Sequence, residues 1–284
     1  DSSQSTKARA TMNIDLDTGR LIVFLSGFFI FLTVEQLFSA RAGTLPLYRR
    51  ATLHAGIAIV NTVCVRLLVY VPLLMWIVYV EQMGWGVARW LGLVGWQEFI
   101  LSLIVLDAFD YFWHRANHRI PILWRFHKAH HSDNDLDVFT ALRFHPGELL
   151  ISSLAKAIWI VIWGPSAFAW FLFEISVSIC AQFHHSNIDM QESIEQQLSK
   201  LIVTPRFHAL HHLVEREYGD RNYSTIFSVW DRFFGTKAIH LSATELQGRE
   251  IGLPEGRDVV LSASELLLEP IKRRNLLLPK PEES

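Results

Sequence analysis

The sequence predicts an all-α fold: a polytopic membrane helical bundle of about three spans plus a helical hairpin, with a histidine-rich helical cap on its cytoplasmic side. Three observations carry this expectation. Half of the 284 residues are apolar, and the mean hydropathy is +0.22. The apolar residues gather into runs long enough to cross about 30 Å of hydrocarbon as helices. Most of the 13 histidines fall in tight groups at or near the ends of those runs.

Residues 1–19 form a polar tail of mixed charge, without the basic start and short apolar core of a signal peptide. The run that follows, 21–40, reads as a retained anchor. A second run covers 55–80 and a third 91–113, so the membrane helices occupy 20–113. Glu35 lies inside the first run and Arg66 inside the second. An arginine there is costly unless it faces protein, snorkels, or meets an acid such as Glu35. Pro72 predicts a kink or local break. The third run contains Glu98, Asp107 and Asp110 and leads directly into the first histidine. Residues 149–163 and 168–183, separated by Gly164 and Pro165, read as the hairpin. From 186 the chain is more polar and reads as cap, with a cytoplasmic tail from 241 to 284 whose last residues, 279–284, are expected to be disordered.

Loop charges set the orientation. Arg41, Arg49 and Arg50 follow the first run, and Arg115, Arg119, Arg125 and Lys128 follow the third. The intervening loop carries only Glu81 and Arg89. The positive-inside rule then puts every histidine group at the cytoplasmic face. Trp85, Trp90, Trp96 and Trp113 read as interfacial anchors. A net charge of −2 gives no reason to expect a nucleic-acid partner. Cys64 and Cys180 both lie in apolar runs, as core thiols do, which argues against a disulfide framework or a cysteine-based zinc site.

The histidine spacing is the informative feature. His114 and His118 are spaced i, i+4. His127, His130 and His131 are spaced i, i+3, i+4, and the trio recurs at His208, His211 and His212. On a helix such spacings project the imidazoles from one face, a turn apart. With His145 and the pair His184–His185, eleven histidines form five groups. So many imidazoles exceed the capacity of one ion, so two metals are expected, and imidazole suits iron, zinc, copper and nickel. Zinc generally acts through one ion with three ligands, whereas a neutral-ligand dimetal site beside a membrane suits attack on an unreactive C–H bond by O2.

Several stretches together resemble the fatty acid hydroxylase superfamily, also called the sterol desaturase family. They are Asp-Tyr-Phe-Trp-His-Arg-Ala-Asn-His from Asp110, Leu-Trp-Arg-Phe-His-Lys-Ala-His-His-Ser from Leu123, and Thr-Ala-Leu-Arg-Phe-His-Pro from Thr140. His185-Ser186-Asn187, Thr-Pro-Arg-Phe-His-Ala-Leu-His-His from Thr204, Asp220-Arg221-Asn222-Tyr223 and Trp-Asp-Arg-Phe-Phe-Gly-Thr from Trp230 complete the match. The resemblance covers about residues 95–240. It implies a non-haem di-iron, O2-dependent membrane enzyme that hydroxylates or desaturates a lipid such as a fatty acyl chain or sterol, with residues 114–240, including membrane hairpin 148–183, as the catalytic region. The ligands it implies are His114, His118, His127, His130, His131, His185, His208, His211 and His212. His145 also fits the pattern and His184 stands beside the usual position, so both join the candidate set. His54 and His240 match nothing and read as structural.

The implied cofactors are two iron ions, which zinc could replace on overexpression, together with O2 and an external electron donor. His145-Pro146-Gly147 matches the haem-binding turn of cytochrome b5, but no second haem motif accompanies it. The electrons are therefore expected from a separate cytochrome b5, ferredoxin or flavoprotein. The membrane would be a bacterial inner membrane or the endoplasmic reticulum. Five further residues have both a functional and a plain reading. Asp110 could orient a ligand ring or merely end a helix. Asn187 could orient a ring or a water, or form a turn. Arg143 and Arg206 could hold a lipid headgroup or carboxylate, or sit solvated. Glu174, costly in an apolar run, could pair with Lys156. Two competing functions are a zinc-dependent membrane hydrolase, against which the lack of a His-Glu-x-x-His motif counts, and a metal transporter without redox chemistry.

Overall fold

A computed structural model describes residues 2–255 and 262–271, with the side chains of 2–17 and 64–67 outside the description. The described residues are helices, turns and loops, with two isolated β-bridges, Ser39 to Ile188 and Leu213 to Ile251. Expectations that fall on Cys64, on the Arg66 side chain and on 279–284 lie outside the described residues.

The first helix, α1 (Ser2–Leu37), leads by a short loop to α2 (Leu47–Val65). A π-helical turn (Arg66–Tyr70) joins α2 directly to α3 (Val71–Gln82). The π turn sits where Pro72 predicts a disturbance. Proline lacks an N–H and its ring crowds the preceding turn, so the hydrogen-bond ladder widens just before it. A short α4 (Val87–Trp90) precedes α5 (Gly95–Arg119) and α6 (Pro121–His131). The hairpin is α7 (Pro146–Trp163) and α8 (Ala167–His185). Smaller helices follow: α9 (Glu192–Leu198), α10 (Pro205–His211), α11 (Arg216–Gly219), α12 (Val229–Phe233), α13 (Ala243–Gln247) and α14 (Ala263–Leu268).

Among the described residues, four segments are long and apolar enough to cross a membrane: Thr18–Leu37, Leu68–Trp90, Pro146–Trp163 and Ala167–His185. The expected third span, α5, differs in kind. It begins four residues later than its hydropathy suggests and keeps its acids buried. Glu98 accepts from the Ser166 amide and pairs with Arg89. Asp107 accepts from the amides of Ile226 and Phe227 and from the Trp230 indole, at 2.8 to 3.0 Å. The face of α5 that carries these acids packs on protein, while Trp96, Ile100, Leu101 and Ile104 are exposed on the helix.

The helices alternate between two ends. At one end the α3–α4 turn meets the α7–α8 turn. Gly86 and Gly164 both have positive φ there, and a Cβ on either would collide with the backbone of the other turn. Trp85, Trp90 and Trp96 are exposed at this end, as anchors should be, while Trp113 belongs to the other end and donates to Ser152 Oγ at 2.8 Å. The main apolar core fills this half of the bundle, from Ile77, Val80 and Leu106 to Ile160, Trp163 and Phe173.

The histidines lie at the opposite end. Glu35, near the end of α1, is buried there and accepts from the amides of Val138 and Asn187. Arg50, near the start of α2, is buried and bonds Asp133 and Asp137 on the loop after α6. His54 is fully buried and reaches Asp133 at 3.1 Å, while His240 pairs with Glu192, so neither joins the histidine groups. Residues 186–255 fold over this end on a second apolar cluster, in which Leu210, Tyr218, Leu241 and Ile251 are joined by Leu136 from the loop after α6. The α14 segment returns to it: Leu266 packs on Ile57 and Ala129, Arg125 bonds the Pro270 carbonyl, and Lys128 pairs with Glu269.

Candidate metal centre

The histidine helices have strong local start signals. Pro121, Pro146 and Pro205 open α6, α7 and α10, where a missing N–H costs nothing. Thr204 caps α10 by accepting from the Phe207 amide, and its hydroxyl donates to buried Glu195.

Nine histidines form two groups. His114, His118, His127, His131 and His211 make one; His130, His185, His208 and His212 make the other. In each, ring nitrogens lie within 4.8 Å of one another. Helical geometry explains the partition. Residues i and i+4 differ by about 40° around the axis, whereas i+3 falls on the other side of i. His127 and His131 therefore share the first group and send His130 to the second. His208 and His212 share the second group and send His211 to the first. The two trios thus exchange roles across the site.

The ring nitrogens converge. His211 Nε2 lies 3.0 Å from His114 Nε2. His185 Nε2 lies 3.0 Å from the Nε2 atoms of both His130 and His208, and His212 Nε2 is 3.1 Å from His208 Nε2. Metal–imidazole bonds of 2.0–2.1 Å at right angles place donor nitrogens about 3.0 Å apart. The Nε2 atoms of His118, His127 and His131 are buried without a hydrogen-bond partner. Buried polar atoms are rarely left so. Orphaned, convergent imidazole nitrogens fit a pair of cations.

Backbone and carboxylate acceptors orient several rings from behind. The Nδ1–H groups of His114, His211 and His185 donate to the carbonyls of Tyr223, Arg221 and Ala181, at 2.8, 2.6 and 2.7 Å. His127 Nδ1 donates to Glu148 Oε1 at 2.7 Å. Each leaves its Nε2 lone pair facing inward. Stacking orients others: His130 lies on Phe144, and His131 on His212, with ring centres 4.5 and 4.4 Å apart. Burial, and then the neighbouring rings, hold His118, His130, His131, His208 and His211 well below the ordinary histidine value. The rings are neutral at pH 7, the form that binds metal.

The remaining candidates stand elsewhere. His145 caps α7: its Nδ1 accepts from the Gly147 amide at 2.9 Å, and its Nε2 meets the Leu267 carbonyl at 3.1 Å. His184 packs against His208, with centres 4.2 Å apart, but lies outside both groups. Asp110 is buried, and its charged neighbours are Lys156 and Glu174 rather than a ligand ring. Asn187 ties the end of α8 to the loop after α1 through Ser39 and the Arg41 carbonyl. Arg143 is buried and bonds the Ala129 carbonyl and Ser132, holding the end of α6. Arg206 pairs with Glu192 and bonds the Met190 carbonyl.

Glu148 was not singled out in the sequence. Its one signal is an acid in the first turn of a proline-opened helix, where the helix dipole alone would favour it. Its pairing with His127, 21 residues upstream, leaves no local trace. The brace of Arg50, Asp133 and His54 beneath α6 was equally invisible. In Asp133, burial is overcome by Arg50 and Arg143 and by the His54 hydrogen bond, and its carboxyl lies well below the usual range.

Comparison with known proteins gives the same region. Residues 99–236 match the fatty acid hydroxylase family. Human alkylglycerol monooxygenase is 31% identical over 131 residues, which are 45% of this chain and 28% of that protein. The ornithine lipid hydroxylase OlsE of Rhizobium tropici is 29% identical over 139 residues, 49% of this chain and 41% of that protein. Chicken methylsterol monooxygenase 1 is 28% identical over 155 residues, 52% of this chain and 48% of that protein. The chain thus spans less than half the length of each of these relatives, and no solved structure matches it. Residues 99–236, which hold all nine clustered histidines, are a fatty acid hydroxylase domain.

Proposed function

We propose that the protein is an O2-dependent membrane oxygenase that hydroxylates, or desaturates, a lipid at a pair of histidine-bound irons. The observation that carries this reading is the double histidine cluster, five rings beside four, at one end of an apolar helical bundle. The names of its relatives, all lipid monooxygenases or hydroxylases, support the reaction class.

His114, His118, His127, His131 and His211 would hold one iron, and His130, His185, His208 and His212 the other. Bound there, the irons would supply reduction of O2 and cleavage of an unactivated C–H bond. Burial keeps the rings of His118, His130, His131, His208 and His211 neutral, and Glu148 and the carbonyls of Ala181, Arg221 and Tyr223 fix ring orientation. The overall conversion takes a C–H bond, O2, two electrons and two protons to an alcohol and water. The electrons come from a separate cytochrome b5, ferredoxin or flavoprotein donor. The bundle end with the histidines faces the cytoplasm, by the positive charges of its loops, in a bacterial inner membrane or the endoplasmic reticulum. The zinc-hydrolase alternative is weakened by the lack of a His-Glu-x-x-His motif. Transport is weakened by clusters at helix ends rather than along the spans.

The test is metal content after purification in detergent from iron-supplied cells. Two irons per chain are expected, with lipid product formed only when O2 is present. A single metal that persists in both His130→Ala and His211→Ala would overturn the site. Two zincs together with O2-independent turnover would favour the hydrolase.

A further inference from the structure

A crevice of about 90 Å³ opens between α1, α3 and α8, in the half of the bundle away from the histidines. Leu73, Leu74, Ile77 and Val78 wall one side, and Trp170 and Phe171 the other. Two opposite charges line it, Arg20 and Glu174. Arg20 lies over the Tyr70 ring, 4.2 Å from its centre. Glu174 Oε1 bonds Lys156 Nζ at 2.8 Å, and that ammonium lies 5.6 Å from the centre of the Trp170 ring. Glu174 is seven residues into α8, about 10 Å below the turn, and eleven residues from His185, about 16 Å along the helix.

Ionisable groups inside a membrane bundle are expensive and are retained where they have work to do. Lys156 bonds Glu174 and also has the buried Asp110 carboxylate as a charged neighbour. Arg20 is the second cation, so the four charges balance, and Arg20 and Glu174 are the two that line the crevice. An anion seat next to a cation seat, with aromatic faces around the carboxylate and aliphatic walls alongside, complements one kind of molecule. It carries a primary amine and a phosphate close together on an apolar tail. The amine is received by Glu174 and the adjoining rings, the phosphate by Arg20, and the chains by the wall of α3.

We propose that this crevice is a binding site for an amine-bearing zwitterionic phospholipid of the bilayer, separate from the metal centre. The site does not rest on the oxygenase reading, because none of its residues belongs to the histidine groups.

The experiment is native mass spectrometry of delipidated full-length protein in detergent, after addition of phosphatidylethanolamine or phosphatidylglycerol. One phosphatidylethanolamine per chain is expected to stay bound at energies that strip phosphatidylglycerol. Glu174→Gln and Arg20→Gln should each reduce that retention about tenfold, the scale of one charged hydrogen bond. Leu74→Trp should do the same by filling the crevice without touching a charge, and it decides the matter if Glu174→Gln does not fold. Iron content, read in parallel, should be unchanged in all variants that fold. Equal retention of the two lipids, or retention of phosphatidylethanolamine that survives Leu74→Trp and Arg20→Gln, would overturn the proposal.

Discussion

His127 and Glu148 form a hydrogen bond of 2.7 Å between the helix that carries the first histidine trio and the first turn of the membrane hairpin. It is the one carboxylate contact at hydrogen-bonding distance to a ring of either group among the described residues, and it joins α6 to α7. A ligand ring held this way keeps its orientation and gains basicity. Glu148→Ala is expected to weaken metal binding about 10- to 100-fold, the range found for such outer partners. Glu148→Gln, whose amide oxygen can still accept, should retain part of it. Chelator competition followed by metal analysis reads the effect; an unchanged midpoint in Glu148→Ala would show that the contact does not tune the site.

Arg50 leads to a second expectation. Its guanidinium is buried and held by Asp133 at 2.8 Å and by Asp137, and Asp133 also receives His54. Breaking a buried pair from one side leaves a charge without a partner and costs about 3–5 kcal/mol. Arg50→Met should therefore lower the melting temperature in detergent sharply and release metal, because the loop it anchors follows His131 directly. A double variant, Arg50→Met with Asp133→Asn, should recover part of the loss. Equal melting of the single and double variants would mean that the pair is not coupled.

The helix order, the hairpin and the identity of the clustered histidines were legible in the sequence. Hydrophobic runs and i, i+3, i+4 spacing are local signals. The partition of each trio was not, because it depends on how α6 and α10 face each other across the site. Nor was the character of α5. Its acids read as flaws in a span, yet Asp107 is the acceptor for the 226–230 segment, some 120 residues later. Arg143 and Arg206 read as possible lipid anchors because an arginine near a membrane interface has many uses. Burial against Ala129 and pairing with Glu192 are tertiary facts that composition does not carry.

Metal-free protein should be acid-labile. The folded-state values of His118, His130, His131 and His208 lie below the ordinary 6.5, chiefly through burial. Between that lowered value and 6.5 the unfolded chain binds more protons than the folded one. Stability is thus fully present above pH 6.5 and is lost as the pH falls below it, by about 1.4 kcal/mol per pH unit for each such ring. Melting of the chelated protein should drop steeply between pH 7 and 5.5, and bound metal should move the loss to lower pH. A melting temperature that holds or rises on acidification would contradict neutral buried rings.

Gly164 tests the far end of the bundle alone. Its φ is +72°, and an added methyl would meet the Trp85 backbone. Gly164→Ala should cost more than about 1 kcal/mol, while the ratio of iron to folded protein stays at the wild-type value. A drop in that ratio would show that the two ends are coupled.

His145 and His184 separate ligation from support. Both nitrogens of His145 are engaged, one by the Gly147 amide and one near the Leu267 carbonyl, so it could bind metal only by giving up the cap of α7. His145→Ala should cost about 0.5–2 kcal/mol, as lost N-caps do, and leave the metal content of the purified protein intact. His184 differs, because its Nδ1 is buried without a partner and its ring lies against His208. If His184 only packs, His184→Ala leaves two metals per chain and weakens them slightly through His208. If it ligates, one metal is lost while the His145→Ala protein keeps both. Metal counted per chain in the two variants, side by side, decides whether nine rings or ten make the centre.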